Sequence, residues 1–221
     1  MLRVFAKIVS VIFHPLLILT YMLILLLLVN PYLFGVNDIA YQSRLILLMF
    51  MSTFLLPAFA VFMMRNLGLV SSIELENKQE RIGPYIITGV FYLWMYMNFK
   101  NNPTIPAPYT IFVLGATIGL FMAFFLNIFT KISAHAVGMG GFIGMTVITT
   151  WLFSYGTFTV NAPMLGALEV SMNSLLMIVI VLAGLVGSAR LILDAHTNDE
   201  LYGGYLVGIF SQFVALFFSM P

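Results

Sequence analysis

The chain has 221 residues, of which 62% are hydrophobic and only 8% are charged. A soluble domain of this length cannot bury so much apolar surface, so we predict an integral membrane protein. The formal net charge of +1 gives no reason to expect nucleic acid as a partner, and the lack of Cys excludes disulfide bonds and thiolate metal sites.

Seven apolar segments follow one another, most of them near the roughly 20 residues that a helix needs to cross a bilayer. They are residues 8–29, 45–64, 84–99, 109–130, 136–155, 173–189 and 201–220. The first is too long for a cleaved signal peptide and is predicted to be a transmembrane helix. We find no period of two that would indicate strands, and we assign the intervening residues, including 156–172, to loops. The predicted fold is an all-α bundle of about seven transmembrane helices in one domain, residues 1–221.

Two smaller patterns have structural interpretations. His14 and Pro15 early in the first segment predict a hydrogen-bonded kink, although His14 could also line a pocket. Gly140, Gly141 and Gly144 in the fifth segment are more typical of close helix packing than of a phosphate loop.

The loops divide unequally between the two membrane faces. Counting crossings puts the N-terminus and the loops 65–83, 131–135 and 190–200 on one face, with the C-terminus opposite. Seven of the nine basic residues fall on the first face, namely Arg3, Lys7, Arg65, Lys78, Arg81, Lys131 and Arg190. All three His residues, His14, His135 and His196, also belong to it. We therefore expect the chemistry of the protein on that face.

Three stretches on this face carry the candidate site residues. They are "ENKQERIGPY" with Lys78 and Arg81, "KISAHAVG" with Lys131, Ser133 and His135, and "SARLILDAHTNDELYGG" with Arg190, His196 and Glu200. Cations, a Ser hydroxyl and a helix N-terminus together favour an anion site, and phosphate fits best.

The His residues suggest a reaction at that phosphate. A neutral His196 can attack phosphorus, and Glu200, four residues on, can fix its tautomer if the segment is helical. His135 can then protonate the leaving alkoxide. This combination predicts a phosphatase that needs neither a metal nor a cofactor.

The same stretches resemble the type 2 phosphatidic acid phosphatase superfamily, whose motifs read K-x6-R-P, P-S-G-H and S-R-x5-H-x3-D. The third motif matches as Arg190-x5-His196-x3-Glu200, with Glu in place of Asp. The second keeps Ser133 and His135 in "ISAH". The first keeps Arg81, but Glu74 stands at its Lys position, so that Lys78 or Lys131 would supply the missing cation.

The resemblance covers residues 76–208 and implies a role for each matching residue. His196 would be the nucleophile, His135 the acid and Glu200 the orienting carboxylate, with Arg190, Arg81 and Ser133 as phosphate ligands. The implied substrate is a lipid or polyprenyl phosphate, handled in the cell (inner) membrane.

Three alternatives remain open at this point. A transporter would use charges within the spans, which are nearly free of them. A metal-dependent membrane hydrolase could use His14, His135 and His196, but no carboxylates stand at ligand spacing. A catalytically inactive member would only bind lipid phosphates.

Overall fold

The computed structural model describes residues 1–75, 77–162 and 166–219, and nine α-helices and two β-strands occur in this part of the chain. The helices are α1 (Leu2–Ile12), α2 (Ile18–Val29), α3 (Ser43–Phe50), α4 (Leu56–Asn66), α5 (Ile82–Lys100), α6 (Ala107–Asn127), α7 (Ala134–Leu152), α8 (Met172–Ile192) and α9 (Asn198–Ser219). The strands are β1 (Thr157–Ala162) and β2 (Gly166–Ser171). The predicted first residue of the motif region, 76, and the predicted last residue of the seventh segment, 220, lie outside the described residues.

Six helical stretches of the described residues are long and apolar enough to cross a membrane. They are Leu2–Val29, Pro31–Asn66, Ala107–Asn127, Ala134–Leu152, Met172–Ile192 and Asn198–Ser219. The third predicted segment forms α5, which has 19 residues but is less apolar because it carries three Tyr residues and Asn98. The prediction of an all-α membrane bundle is confirmed.

The first stretch is broken between α1 and α2, as the His14–Pro15 pair predicts. Pro15 has no backbone N–H and opens a short 3₁₀ turn, Pro15–Leu17, whose N-cap is His14. The His14 N–H binds the carbonyl of Val11 instead of continuing the α-helical pattern to Ser10. The Ser10 carbonyl is therefore free to accept a hydrogen bond from elsewhere in the bundle.

The second stretch is also irregular at its centre. A π-helical segment, Met51–Leu55, joins α3 to α4, and Pro57 follows at the start of α4. A Pro removes one helical hydrogen bond, and π-segments are a common way to absorb that loss. Ala58 and Val61, just past this segment, line a cavity between the helices.

Glycines bring α9 unusually close to α7. A Cβ atom on Gly208 would collide with the carbonyl of Val137, and one on Gly140 would collide with the backbone of Tyr205. Small residues are the usual means of close helix packing in membranes. The interpretation of Gly140 and Gly144 as packing residues is confirmed, because Gly144 also lies against the α9 backbone at Ile209.

The prediction of an irregular loop at 156–172 was wrong. β1 and β2 form an antiparallel hairpin in which Thr157 pairs with Ser171 and Phe158 with Val170. The sequence "TFTV" does alternate with a period of two, and Phe158 packs against the main core. Residues 163–165, within the predicted loop, lie outside the described part.

Candidate functional site

Side chains from the three predicted stretches meet at one cavity of about 270 Å³. Four of the predicted site residues line it, namely Arg81, His135, Arg190 and His196. His14, at the break between α1 and α2, lines it as well, and its ring lies edge-on to that of His135 at 5.6 Å between ring centres. Two guanidinium groups and three imidazoles therefore share one recess.

His196 is held by a carboxylate on the next turn of chain. α9 begins at Asn198, so residues 196–200 are close to helical spacing, and the His196 Nδ1 lies 2.9 Å from the Glu200 Oε2. The same Nδ1 lies 3.1 Å from the carbonyl oxygen of Lys131. Both neighbours are acceptors, so Nδ1 carries the hydrogen and Nε2 keeps its lone pair. The backbone N–H of Thr197 donates to the same carboxylate oxygen at 3.2 Å, which fixes the position of Glu200.

Burial keeps the imidazole of His196 uncharged. It lowers the pKa of His196 to about 4, against the opposing effect of the Glu200 carboxylate and with a smaller contribution from Arg81 and Arg190. The side chain is only 2% exposed. At neutral pH, His196 is therefore a neutral base with an available nitrogen lone pair.

His135 is oriented by the broken first helix. It lies in the first turn of α7, and its Nε2 is 3.0 Å from the Ser10 carbonyl that the break leaves free. Because a carbonyl only accepts, Nε2 must donate, and Nδ1 is the nitrogen left for chemistry. A residue near the N-terminus thus sets the tautomer of a residue 125 positions later.

Arg190 ends at the cavity, and its buried Nε–H has no acceptor among the described residues. Its Nη1 donates to the Ser10 hydroxyl at 3.4 Å. Its Nε is buried and makes no hydrogen bond within the described part of the chain. A buried guanidinium N–H without an acceptor is costly, and an anion in the cavity would satisfy it.

Arg81 stands on the other side of the recess, immediately before α5. Its Nε donates to the Leu75 carbonyl at 2.9 Å and its Nη1 to the Ile132 carbonyl at 3.1 Å. Burial lowers the pKa of Arg81, but a guanidinium remains charged at any physiological pH.

The recess is thus lined by the buried Arg81 and the half-buried Arg190, together with the exposed Glu74, while the Glu200 carboxylate is engaged by His196. The two guanidiniums, set back from bulk water, are the groups that suit this recess to an anion.

Three other predicted phosphate ligands do not line the cavity. Lys78 is exposed, and its Nζ donates to the Ile128 carbonyl at 3.1 Å. Ser133 is fully buried as the N-cap of α7, where its hydroxyl accepts from the Ala136 N–H at 3.4 Å. Lys131 contacts the site through its backbone carbonyl, on His196.

Ser10 is the site residue that the sequence analysis missed. It contacts both His135 and Arg190, through its carbonyl and its hydroxyl respectively. The available signal was the His14–Pro15 break, which indicates a free carbonyl one turn earlier but not its partner.

The described residues contain no group of three or more His, Cys, Asp or Glu side chains placed to hold a metal ion. The chain also gave no match when it was compared with protein-family models, with curated proteins and with solved structures. The resemblance to the type 2 phosphatidic acid phosphatases therefore depends on the three motifs and remains a prediction.

Proposed function

We propose that the protein is a metal-independent phosphatase that acts on a membrane lipid phosphate through a phosphohistidine. The observation that carries the proposal is the environment of His196. Its Nδ1 is held by Glu200 at 2.9 Å, and the ring lines a cavity with Arg81, Arg190 and His135. A nucleophile with a fixed tautomer, beside cations and a second imidazole, is the arrangement that phosphoryl transfer to nitrogen requires.

In the first step, the Nε2 lone pair of His196 attacks phosphorus and the bond to the ester oxygen breaks. The Glu200 carboxylate stabilises the positive charge that develops on the imidazole, and the two guanidiniums bind the non-bridging oxygens. The bound phosphate monoanion gives its proton to Nδ1 of His135, and the leaving alkoxide takes that proton, because Nε2–H of the ring stays on the Ser10 carbonyl.

In the second step, water attacks the phosphohistidine. His135, now neutral, accepts a proton from that water at Nδ1, the P–N bond breaks and inorganic phosphate leaves. The cycle returns His196 to the neutral form that its burial favours.

The surroundings of the cavity favour an amphiphilic substrate. The anion-binding groups lie where α5, α7 and α9 begin and α8 ends, while Ile18, Leu19 and Met22 of α2 form an apolar wall further along. A phosphate headgroup can bind to the cations while its chain remains in the bilayer. The Arg3–Asp194 ion pair, 2.6 Å long, supports an N-terminus on the same side as the site. The C-terminus on the opposite side is what an odd number of crossings implies.

The test is a panel of lipid phosphates presented to the purified protein in mixed micelles, with and without EDTA. We expect phosphate release that EDTA leaves intact and that vanadate inhibits, because vanadate mimics pentacoordinate phosphorus. Loss of release in EDTA with rescue by one divalent ion would favour the metal-dependent hydrolase instead. Binding of lipid phosphates without any release would identify an inactive binding protein.

A further inference from the structure

His14 belongs to the cavity wall but takes no part in the proposed reaction. Its ring lies edge-on to that of His135, at 5.6 Å between ring centres. Ser10, about one helical turn earlier, accepts hydrogen bonds from His135 at its carbonyl and from Arg190 at its hydroxyl. His14, His135 and Arg190 are therefore neighbours on one part of the wall, brought together by the break between α1 and α2.

The hydrogen bond that caps the 3₁₀ turn after the break fixes the tautomer of His14. Its Nδ1 accepts from the backbone N–H of Leu16 at 3.3 Å. A ring nitrogen that accepts carries no hydrogen, so the hydrogen of the neutral imidazole lies on Nε2. The ring also packs edge-on against Phe54, at 6.0 Å between ring centres, and against His135. His14 is therefore an Nε2–H donor whose orientation is held by its neighbours.

The contact at Nδ1 uses only one of the two nitrogen atoms of His14. No described residue accepts a hydrogen bond from Nε2, although the ring lines the cavity. The Nε–H of Arg190, on the same part of the wall, also has no acceptor among the described residues. Polar groups that are set back from water are nearly always hydrogen-bonded, so two such donors side by side indicate a ligand with several acceptor oxygens.

The capping role alone does not account for His at this position. Ser, Thr, Asp and Asn are the preferred capping residues, and all four have shorter side chains. His extends further and adds a second donor. Lys78 and Lys131, the predicted sources of the missing cation, do not line the cavity, whereas His14 does.

We propose that His14 is a third phosphate ligand, which donates its Nε2–H to the phosphate that Arg81 and Arg190 bind. A neutral imidazole adds a directed hydrogen bond to the anion without adding a third positive charge to the recess. The group bound is the phosphate of the substrate and, after hydrolysis, inorganic phosphate. This inference depends on the proposed phosphate site at Arg81, Arg190 and His196.

Two substitutions separate the roles of the two nitrogen atoms of His14. An Asn amide lies near the position of Nδ1, so His14→Asn keeps the cap on the Leu16 N–H and removes the distal donor. A Gln amide reaches the position of Nε2, so His14→Gln keeps a distal donor and removes the cap. Each variant is therefore the control for the other.

The quantity measured is the Kd of inorganic phosphate, from ³¹P NMR titrations of the purified protein in maltoside micelles, with the Tm of each variant recorded. We expect His14→Asn to weaken phosphate binding about tenfold or more, the effect of one hydrogen bond to a charged group, with an unchanged Tm. His14→Gln should bind phosphate within about threefold of the wild type although its Tm falls, because the cap is lost.

Two outcomes would overturn the inference while the phosphate site stands. If His14→Asn binds phosphate as the wild type does, Nε2–H does not contact the anion, and a fall in kcat alone would assign His14 to His135. If His14→Gln loses as much binding as His14→Asn or more, binding requires the cap and not the distal donor.

Arg190→Gln separates this inference from a failure of the proposed function. The titration needs no turnover, so it applies equally to an inactive binding protein. Phosphate binding by the wild type that Arg190→Gln weakens establishes the site that His14 is expected to share. If the wild type binds no phosphate, or Arg190→Gln binds it equally well, the proposed site is wrong and this inference is overturned with it.

Discussion

The third-motif segment, residues 188–204, and the helix break, residues 10–17, position candidate catalytic side chains in different ways. The segment is local, since the carboxylate of Glu200 reaches His196 across four residues at the start of α9. The break acts over a distance, since Ser10 contacts His135 and Arg190, which lie 125 and 180 positions away. The His196–Glu200 contact can be predicted from the spacing of the two residues in the sequence. The contacts of Ser10 cannot, because they form only when the helices pack.

The largest expected effect lies in the local segment. His196→Ala removes the proposed nucleophile, and turnover should fall on the order of 10⁴-fold or more. Phosphate release and acid-quenched phosphohistidine are measured together, and only the wild type should yield the phosphorylated protein. Activity above a few per cent in the variant would remove His196 from that role.

The second largest expected effect is on the pKa of the His196 imidazole. Its pKa falls from 6.5 to about 4, which corresponds to a roughly 300-fold weaker affinity for a proton. ¹⁵N spectra of the labelled imidazoles should therefore show His196 neutral at pH 5.5, with the hydrogen on Nδ1, and His196→Ala identifies the signal. Since the unfolded chain binds this proton first, folding stability should decrease as pH falls from about 6.5 to about 4. A titration midpoint near 6.5 would contradict the buried geometry.

Glu200→Gln tests the carboxylate that contacts His196. An amide can still contact Nδ1, but it does not stabilise a charged imidazole, so we expect turnover to fall about 100-fold. Glu200→Asp, with a carboxylate one methylene shorter, should retain part of the activity. The control is Asp199→Asn, which removes an exposed charge from the neighbouring position. Wild-type rates in Glu200→Gln would show that the orientation of His196 does not depend on this carboxylate.

Pro15→Ala tests the distant arrangement. With a backbone N–H restored at position 15, helix α1 can continue, and the His14 N–H can bind the Ser10 carbonyl in place of His135. We expect kcat to fall about tenfold while KM changes little, because the His135 tautomer is no longer fixed. Pro57→Ala, at the other helix irregularity, is the matched control. If the helix is restored and kcat does not change, His135 has no role in catalysis that depends on the Ser10 carbonyl.

The smallest effect is expected at Lys78. Its ammonium is exposed and donates to the Ile128 carbonyl, so Lys78→Met should change kcat/KM less than twofold. A loss of tenfold or more would restore Lys78 as the cation that replaces the first-motif lysine.

The sequence predicted the features that depend on neighbouring residues. These are the apolar helices, the kink at His14–Pro15 and the contact between His196 and Glu200. It did not predict the partners of His135, Arg81 and Arg190, since these are backbone carbonyls or hydroxyls on other helices. Every residue has a backbone carbonyl, so the amino-acid sequence does not show which carbonyl the packing of the helices brings close to these side chains.

The hairpin was missed for a different reason. Only β1, "TFTVNA", alternates over its whole length, and it lies between two long apolar helices, so a window wide enough to find the helices averages its six residues away.

Ser10 is an example of a residue whose backbone is needed for the site although its side chain is not. Its contact with His135 is made by the backbone carbonyl, which every substitution preserves. Only its longer contact, with Arg190 at 3.4 Å, uses the hydroxyl. A complete set of replacements at position 10 would therefore suggest a tolerant site. What the site depends on is the number of residues between Ser10 and Pro15, because one extra residue turns the carbonyl by about 100° around the helix axis. The functional constraint is therefore on the length of this segment, and only insertions and deletions would reveal it.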